Sequence, residues 1–374
     1  MARRGENIYK RKDGRWEGRY IKGRKPDGKP RFGSVYGGSY SKVKNKLLPL
    51  KAAYCEKSPE ARCTKPFRDY LLADLAERRR GSIKASTYDS YFRIVHNHIL
   101  PELGATPMHH LTAQQVHGFL LNLHNQGLSD GTISNIFRYL SGVTRSAVKS
   151  GALARDPIEG IAPPKQRQKA VRALSRAEQQ RLERAALSAL EDNEKGNGLE
   201  VILALYTGMR VGEICALRWE DVDFDSGVIH VRHTLQRLSM HGGGTKTGVQ
   251  IGSPKSDSSQ RQIPMNDYIL RILRDCHRRA KGEFVVPGRR EYTEPRVIQY
   301  RFERLLEQAQ VPRVGFHALR HSFATRCMEL NIDVAAVSKL LGHSSVKLTL
   351  DVYTDSLLEH RRDAVHKLDG LAAT

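Results

Sequence analysis

The stretch Leu-Gly-His-Ser-Ser-Val-Lys-Leu-Thr-Leu-Asp-Val-Tyr at residues 341–353 decides how the whole chain is interpreted. In it, His343 stands ten residues before Tyr353. Two earlier stretches each contribute an arginine: Thr-Gly-Met-Arg-Val-Gly-Glu (207–213) and His-Ala-Leu-Arg-His (317–321). Arginine binds phosphate oxygens, histidine moves protons and tyrosine can act as a nucleophile. Together these stretches predict a site for chemistry on a phosphodiester.

The candidate residues suit breaking and rejoining a phosphodiester without metal or ATP. The guanidinium groups of Arg210 and Arg320 match the nonbridging oxygens of one phosphate and stay charged at neutral pH. His317 lies three residues before Arg320, so both share one helix face. Tyrosine has an ordinary pKa near 10, and nearby arginines favour its phenolate. We expect Tyr353 to attack phosphorus, with His317 and His343 assisting.

Each candidate also has a structural alternative. Arg210 can form an ion pair with Glu213, three residues on, instead of binding phosphate. His343 can form a hydrogen bond at a helix end. Tyr353 can be a packed side chain, since the chain has 14 tyrosines.

In order and spacing, these residues resemble the tyrosine recombinases, also called the phage integrase family, over most of the chain. The resemblance implies a mainly α multidomain fold with small β-sheets. It also implies site-specific DNA recombination through a 3′-phosphotyrosine that leaves a free 5′-hydroxyl. In this family the acidic position after the first arginine, here Glu213, orients its neighbours.

In the family a lysine on a β-hairpin protonates the leaving 5′-oxygen. Residues 253–264 resemble that hairpin, so Lys255 is the candidate general acid. Lys246 is the alternative, because the insertion Gly242-Gly243-Gly244 blurs the register. The six expected catalytic residues are Arg210, Lys255, His317, Arg320, His343 and Tyr353.

Composition points to a polyanionic partner. The 374 residues include 62 Lys plus Arg and 40 Asp plus Glu, a formal net charge of +22. Residues 1–56 carry 16 basic and 5 acidic residues, which is half of that surplus. Such an excess favours binding through phosphate neutralisation, although it does not separate DNA from RNA or an acidic membrane.

Membrane insertion, secretion and a bound metal or cofactor are not expected. The N-terminus shows no apolar signal segment, and no stretch reaches the roughly 18 apolar residues of a spanning helix. The five cysteines are widely spaced and form no Cys-x-x-Cys pair, so we expect reduced thiols. The pairs His96/His98 and His109/His110 lack further ligands at metal-binding spacing. We expect a bacterial cytoplasmic, nucleoid-associated protein that needs no cofactor.

The first segment, 1–56, has turns at Asp13-Gly14 and Asp27-Gly28 between alternating runs, which predicts hairpins. We expect a three-stranded antiparallel sheet and then a helix from about residue 41 to 53, with Pro49 as a kink. The helix should cover a face carrying Trp16, Tyr20, Phe32 and Tyr36. The other face should carry DNA-binding residues: Arg15, Arg19, Arg24, Lys29 and Arg31.

This segment resembles the arm-type DNA-binding domain of some integrases, in which a three-stranded sheet enters the major groove. The alternative is a solvated basic face without a specific site.

The second segment, 64–160, has four stretches with apolar residues at helical spacing, which predicts a compact helical bundle. Thr112 and Gln115 form a predicted capping box. The bundle resembles the core-binding domain of the family. Its candidate phosphate contacts are Ser86, Thr87, Arg93, Ser134, Asn135 and Arg138. A proline-rich and then basic linker follows at 156–169.

The third segment, 170–374, is predicted to be a mostly α catalytic domain with a small sheet. Ser175 and Glu178 predict a capping box, an apolar helix is expected over 199–207, and strands are expected at 228–231 and 261–264.

The resemblance implies double-stranded DNA as the partner, at core and arm sites, and a homotetramer on synapsed DNA. An excisionase and a host DNA-bending protein are further partners that it allows. The apolar spacing in the tail, 357–371, fits packing on a neighbouring protomer or on the chain's own core. Two other functions remain open: a type IB-like topoisomerase and a catalytically silent DNA-binding regulator.

Overall fold

The computed structural model describes residues 7–24, 30–56, 65–81, 83–153, 155–163, 172–192, 197–240, 247–253 and 260–353. The chain divides into two compact units, residues 1–167 and 168–374. This boundary falls inside the segment 156–169 that we predicted to be a linker.

The N-terminal part forms the predicted antiparallel sheet with a helix on one face. Its elements are β1 (Ile8–Lys10), β2 (Trp16–Arg24), β3 (Pro30–Gly37) and α1 (Tyr40–Glu56). The strand order is β1-β2-β3, so β2 lies in the middle. Pro49 lies inside α1. Ile8, Val43 and Leu47 form the buried centre between sheet and helix.

The prediction that Phe32 and Tyr36 pack under the helix is wrong. Their side chains are 54% and 44% exposed, and Val35 instead joins Trp16 and Tyr20 in the cluster. The register explains this difference. Gly37 and Gly33 of β3 lie opposite Trp16 and Tyr20 of β2, which leaves room for the two large rings. Because side chains alternate along a strand, Phe32 and Tyr36 then lie on the other face.

Residues 67–149 form the predicted helical bundle. Its helices are α2 (Phe67–Arg80), α3 (Ala85–Ile94), α4 (Leu100–Leu103), α5 (Ala113–Asn125) and α6 (Asp130–Lys149). The stretch predicted as one helix near residues 87–99 is α3 followed by a π-helical turn, Val95–Ile99, that leads into α4. The capping box of Thr112 and Gln115 is confirmed. Buried side chains such as Phe67, Ile99, Ile136 and Leu140 fill the interior.

The second unit is mostly helical, with small antiparallel sheets, as predicted. Its helices are α7 (Arg176–Asp192), α8 (Leu199–Thr207), α9 (Val211–Ala216), α10 (Asp267–Arg279), α11 (Pro295–Gln308), α12 (His317–Glu329), α13 (Val334–Leu341) and α14 (Val346–Tyr353). Its strands are β4 (Val222–Asp223), β5 (Val228–Val231), β6 (Thr234–Ser239), β7 (Thr247–Gly252), β8 (Arg261–Pro264) and β9 (Pro287–Arg290).

The start of α7 confirms the second capping box. The Glu178 backbone N–H donates to Ser175 Oγ at 3.2 Å, and the Ser175 N–H donates to a Glu178 carboxylate oxygen at 2.9 Å.

The strands on either side of Lys255 do not form the single hairpin that we expected. In the described residues, β8 pairs with β5 in a three-stranded sheet, β4-β5-β8, and β7 pairs with β6. Lys255 lies between β7 and β8, and Lys246 lies between β6 and β7. Both lysines fall outside the described residues.

Helix α8 is the centre of the second unit. It is apolar and almost wholly buried, and it packs against α7 and α12. Helix α12 also contacts α13 and α14, and α13 contacts β8. The ends of α8, α12, α13 and β8 therefore meet in one region.

Candidate active site

Arg320 is a buried arginine fixed by two backbone carbonyl groups. It is the fourth residue of α12, follows the buried Leu319, and is only 4% exposed. Its Nη1 donates to the carbonyl oxygen of Gly208 at 2.8 Å, and its Nη2 donates to that of Leu341 at 2.7 Å. These bonds satisfy some of the N–H donors of the guanidinium, whose burial would otherwise be costly.

Arg210 lies just beyond the same end of α8. Gly208 ends that helix in the left-handed conformation, with φ 63°, and the chain turns so that Arg210 precedes α9. Arg210 Nη2 donates to the carbonyl oxygen of Gly342 at 3.3 Å. The side chain is 37% exposed, so part of its guanidinium faces solvent.

Glu213 holds Arg210 and is shared with a second arginine. Arg210 Nη1 donates to Glu213 Oε1 at 2.7 Å, so the predicted structural ion pair is present. Arg261 of β8 donates to both oxygens of the same carboxylate, at 3.1 and 2.9 Å, and its Nε donates to the carbonyl oxygen of Leu340 at 2.6 Å. Burial opposes ionisation of Glu213, but the hydrogen bonds and charge of Arg261, with Arg210, hold its pKa below the usual range.

Arg261 was not among the residues predicted from the sequence. The sequence did contain a signal for it. Arg261 stands two residues before Ile263 in a predicted strand, and residues at that spacing lie on the same strand face. Ile263 is buried, and the Arg261 side chain is only 5% exposed.

The two predicted histidines lie beside the arginines. The His317 ring meets the His321 ring edge to face, with 4.9 Å between centroids. His317 is exposed to solvent at the start of α12. His343 follows Gly342, the left-handed end of α13, and its Nδ1 lies 2.9 Å from Thr349 Oγ1 of α14.

The electrostatics of this pocket favour an anion. Burial, with the charges of Arg210 and Arg261, lowers the pKa of Arg320 to about 9, and it stays protonated at neutral pH. Burial, with neighbouring positive groups, also lowers the pKa of His317 and His343 to about 4, so both imidazoles are neutral at pH 7. An anion would relieve the repulsion that causes part of these shifts.

Helix α14 brings the position of Tyr353 to the same region. Its backbone ends the helix, and its side chain lies outside the described residues. Thr349 and Tyr353 are four residues apart, so they occupy one face of α14. Thr349 is buried against His343. The structure thus gathers Arg210, His317, Arg320 and His343, and places the α14 face that carries Tyr353 next to them.

The predicted DNA contacts outside this pocket are only partly described. The described side chains of Arg15, Arg19 and Arg31 are exposed, whereas the Arg24 side chain and Lys29 lie outside the described residues. In the bundle, Arg93 lies 3.4 Å from Asp89, and Arg138 donates to Asn135 at 2.9 Å; both arginines are exposed.

Ser134 is a correction to the predicted phosphate contacts. It is buried in α6 and cannot meet a phosphate. It lies beside Ile133 and Ile136, on the apolar side of a helix that is the most buried in the bundle.

The described residues contain neither a cluster of metal-binding side chains nor a helix that could span a membrane. No three His, Cys, Asp or Glu side chains lie together as a metal site would need. His96 stacks on Phe92, with ring centroids 3.8 Å apart. No described helix is long and apolar enough to cross a membrane.

Comparisons with known protein families agree with this fold. The profile of the phage integrase family matches residues 167–360, and that of the phage integrase N-terminal SAM-like domain matches residues 67–124.

Two curated relatives illustrate the sequence similarity. A tyrosine recombinase XerC-like protein of Caldanaerobacter subterraneus is 26% identical over 334 residues, which is 82% of this chain and 84% of the relative. Tyrosine recombinase XerA of Thermococcus kodakarensis is 30% identical over 263 residues, which is 69% of this chain and 82% of the relative.

Solved structures share the fold. The Tn1549 transposon integrase, in complex with a circular intermediate DNA, matches with a TM-score of 0.67 at 22% identity, over 81% of this chain and 99% of that one. A lambda integrase tetramer bound to a Holliday junction matches with a TM-score of 0.59 at 20% identity, over 94% of this chain and 96% of that one.

The fold and the family profiles define a site-specific DNA recombinase of the tyrosine class. The chain belongs to the phage integrase family.

Proposed function

We propose that this recombinase integrates and excises a mobile element, and that it cuts each DNA strand through a 3′-phosphotyrosine at Tyr353. The observation that carries the proposal is the convergence of Arg210 and Arg320 on the turn 341–343. Arg210 and Arg261 bind the carboxylate of Glu213 directly, and the charge of Arg320 lies close enough to interact with it, so three positive charges lie near a single carboxylate. A phosphodiester is an anion that fits this pocket, and a DNA recombinase acts on one.

In the proposed reaction, Arg210 and Arg320 hold the nonbridging oxygens of the scissile phosphate. Fixed cations aimed at the charge that develops in a transition state are worth on the order of 3–4 kcal/mol per donor. Tyr353 Oη attacks phosphorus, and the bond from phosphorus to the 5′-oxygen breaks. Lys255 donates a proton to that oxygen, with Lys246 as the alternative donor. The new phosphotyrosine keeps the bond energy, so the 5′-hydroxyl of a partner strand can reverse the step without ATP.

The two histidines assist without adding charge. Because His317 and His343 have pKa values of about 4, they are neutral before DNA binds and can accept the tyrosine proton or donate an N–H to phosphate. A bound phosphate raises both pKa values and favours proton uptake during attack. The contact from His343 to Thr349 links this chemistry to the helix that carries Tyr353.

We assign three DNA-handling parts to the chain. Residues 1–56 bind an arm site, residues 64–160 bind the core site, and residues 170–374 carry out catalysis. The likeness to lambda integrase, which covers 94% of this chain, supports an N-terminal part beyond the two family profiles. The basic surplus of residues 1–56 supports a polyanionic ligand, and we propose double-stranded DNA because the chain is a DNA recombinase.

The active assembly we propose is a homotetramer on two synapsed duplexes in a bacterial cytoplasm, associated with the nucleoid. Strand exchange between two duplexes needs four cleavages, one for each protomer. The lambda integrase tetramer on a Holliday junction supports this number. An excisionase and a host DNA-bending protein are proposed as partners that set the direction.

Covalent trapping tests the nucleophile. The protein is mixed, without metal or ATP, with a duplex bearing its element's end and a nick that lets the short 5′-hydroxyl fragment diffuse away. We expect an SDS-stable protein–DNA adduct that Tyr353→Phe abolishes. Tyr300→Phe is the matched control, since Tyr300 is an exposed tyrosine of the same unit and should leave the adduct intact.

The same protein and DNA substrates distinguish the recombinase from the two alternative functions. Exchange between two such sites supports a recombinase, whereas relaxation of a single plasmid without exchange would support a topoisomerase. Tight binding without any adduct would support a silent DNA-binding protein and would contradict the proposal.

A further inference from the structure

The face of the N-terminal sheet that points away from α1 has an acidic residue at its centre. Glu17 of β2 lies opposite Tyr9 of β1 and Tyr36 of β3, and Arg19 lies opposite Ser34. Directly opposed residues of an antiparallel pair share one side of the sheet. We call the side chains of Tyr9, Arg11, Glu17, Arg19, Ser34 and Tyr36 the outer face.

Glu17 accepts hydrogen bonds from the side chains that surround it in this face. Its Oε1 accepts from Arg19 Nε at 3.0 Å and from the Ser34 hydroxyl at 2.8 Å. Its Oε2 accepts from Arg11 Nη1 at 2.9 Å. Although Glu17 lies on the surface of a thin sheet, these neighbours cover it, and only 2% of it is exposed. The hydrogen bonds from Arg19 and Ser34 lower the pKa of Glu17 to about 2, so it is ionised at neutral pH.

The two arginines are held in place but remain accessible. About half of the Arg19 side chain, 53%, is exposed, and its guanidinium carbon lies 5.3 Å from the centre of the Tyr9 ring. The guanidinium carbon of Arg11 lies 5.7 Å from the centre of the Tyr36 ring. A carboxylate on one side and an aromatic ring on another limit the orientations of each guanidinium.

An ionised carboxylate is unfavourable on a surface that only needs to attract phosphates. It cancels one positive charge and weakens the attraction to any polyanion. Reading a base edge depends instead on the direction of the donors, and a guanidinium matches the two major-groove acceptors of guanine. A side chain that is already fixed also loses less conformational freedom on binding.

We infer that Glu17 is a positioning residue, which orients Arg11 and Arg19 so that the outer face reads guanine in the major groove of double-stranded DNA. This inference rests on the proposed binding of an arm site by residues 1–56. Glu17 then affects which DNA sequence is preferred rather than how tightly DNA is bound in general. It does so without touching DNA itself.

The experiment compares sequence preference with general affinity, using the full-length protein. A library of random-sequence duplexes is selected by the wild type and by the Arg11→Ala/Arg19→Ala double variant. The motif that only the wild type enriches is the one read by the outer face. Dissociation constants are then measured by fluorescence anisotropy, at one salt concentration, for a duplex with this motif and for a shuffled duplex.

We expect Glu17→Gln to reduce the preference for the motif by about tenfold, the scale of one lost bidentate base contact. Its affinity for the shuffled duplex should stay equal or rise, because the protein gains one positive charge. Glu77→Gln is the matched control, since Glu77 is an exposed carboxylate of α2 and lies outside the outer face. It makes the same charge change and should keep the preference.

Ser34→Ala removes one hydrogen bond to Glu17 without a change in charge, and it decides the matter if Glu17→Gln fails to fold. A reduced preference in Ser34→Ala supports the inference. An unchanged preference in a folded Glu17→Gln variant, or in Ser34→Ala when Glu17→Gln does not fold, overturns it. If the double arginine variant enriches the same motifs as the wild type, the proposed arm-binding function of this sheet fails instead.

Discussion

Arg261 shows how one buried side chain can organise a site that it does not enter. Its two hydrogen bonds to Glu213 and its bond to the Leu340 carbonyl connect β8 with α9 and α13. Because Glu213 also holds Arg210, a change at Arg261 should reach the proposed phosphate-binding group. Breaking one side of a buried ion pair typically costs about 3–5 kcal/mol.

We expect Arg261→Lys to keep the positive charge but lose the bidentate contact with the Glu213 carboxylate. Formation of the covalent adduct should slow by roughly 10–100-fold, because a displacement of about 1 Å in a catalytic group can cost that much. Single-turnover trapping on the nicked duplex measures the rate. Arg271→Lys, at an exposed arginine of α10, is the control. Equal rates for both variants would show that Arg261 does not position Arg210.

The two histidines make the DNA-free protein sensitive to acid. The unfolded chain protonates such imidazoles below about pH 6.5, whereas His317 and His343 in the folded chain do so only near pH 4. Folding therefore becomes less favourable as the pH falls from about 6.5 towards 4. A bound phosphate raises the pKa values of both histidines in the folded state, so the pH range over which stability is lost becomes narrower.

We expect the melting temperature of the wild type to fall between pH 7 and pH 5. The fall should be smaller in the His317→Gln/His343→Gln double variant, and smaller for the wild type with a short duplex bound. Differential scanning calorimetry at both pH values measures it. An equal fall in melting temperature for the wild type and the double variant would contradict the assigned pKa values.

At the scale of elements, the connection between α8 and α9 builds part of the site from its backbone. Gly208 has φ 63° and its carbonyl oxygen accepts from Arg320. A methyl group at this position would lie 2.6 Å from the Phe323 ring and 2.7 Å from Leu341. The glycine is therefore required both by its backbone conformation and by the packing around it.

We expect Gly208→Ala to destabilise the protein by about 2–5 kcal/mol, which combines the left-handed strain with overpacking. Gly227→Ala is the matched control, since Gly227 has φ 67° and no atom within 4 Å of the added methyl group. It should cost only about 1–2 kcal/mol. Urea denaturation of both variants measures the difference, and equal costs would exclude the clash with Phe323 and Leu341.

Local patterns predicted most of the elements. The capping boxes at Thr112 and Ser175 are formed, and the apolar stretch ending at Gly208 is a helix. These features depend on residues three or four positions apart. The assignment of Phe32 and Tyr36 failed because it depended on the register between β2 and β3. In that register, two glycines of β3 lie opposite Trp16 and Tyr20 and leave room for their rings.

At the scale of the whole molecule, the net charge of +22 should dominate general DNA affinity. A protein that neutralises several phosphates releases the same number of condensed counterions, so its affinity falls steeply with salt. We expect binding to a non-specific duplex to weaken on the order of 10³-fold between 50 and 200 mM salt. Fluorescence anisotropy across this range measures the slope, and a change below about tenfold would contradict binding mainly through phosphates.

The sequence by itself determined the family and the residue types of the candidate site. Arg210, His317, Arg320, His343 and Tyr353 could be named because their neighbours along the chain form short recognisable stretches. The charge of residues 1–56 and the helical spacing of residues 64–160 likewise depend on composition and local order alone.

The tertiary structure decided which side chains form ion pairs with the same partner and which donate hydrogen bonds to backbone carbonyl groups. The sharing of Glu213 by Arg210 and Arg261, and the fixing of Arg320 by Gly208 and Leu341, join segments far apart in the chain. The same is true of Glu17, whose contact with Ser34 depends on strand register. Such contacts depend on how helices and strands pack, and packing follows from the whole set of buried surfaces rather than from any one stretch.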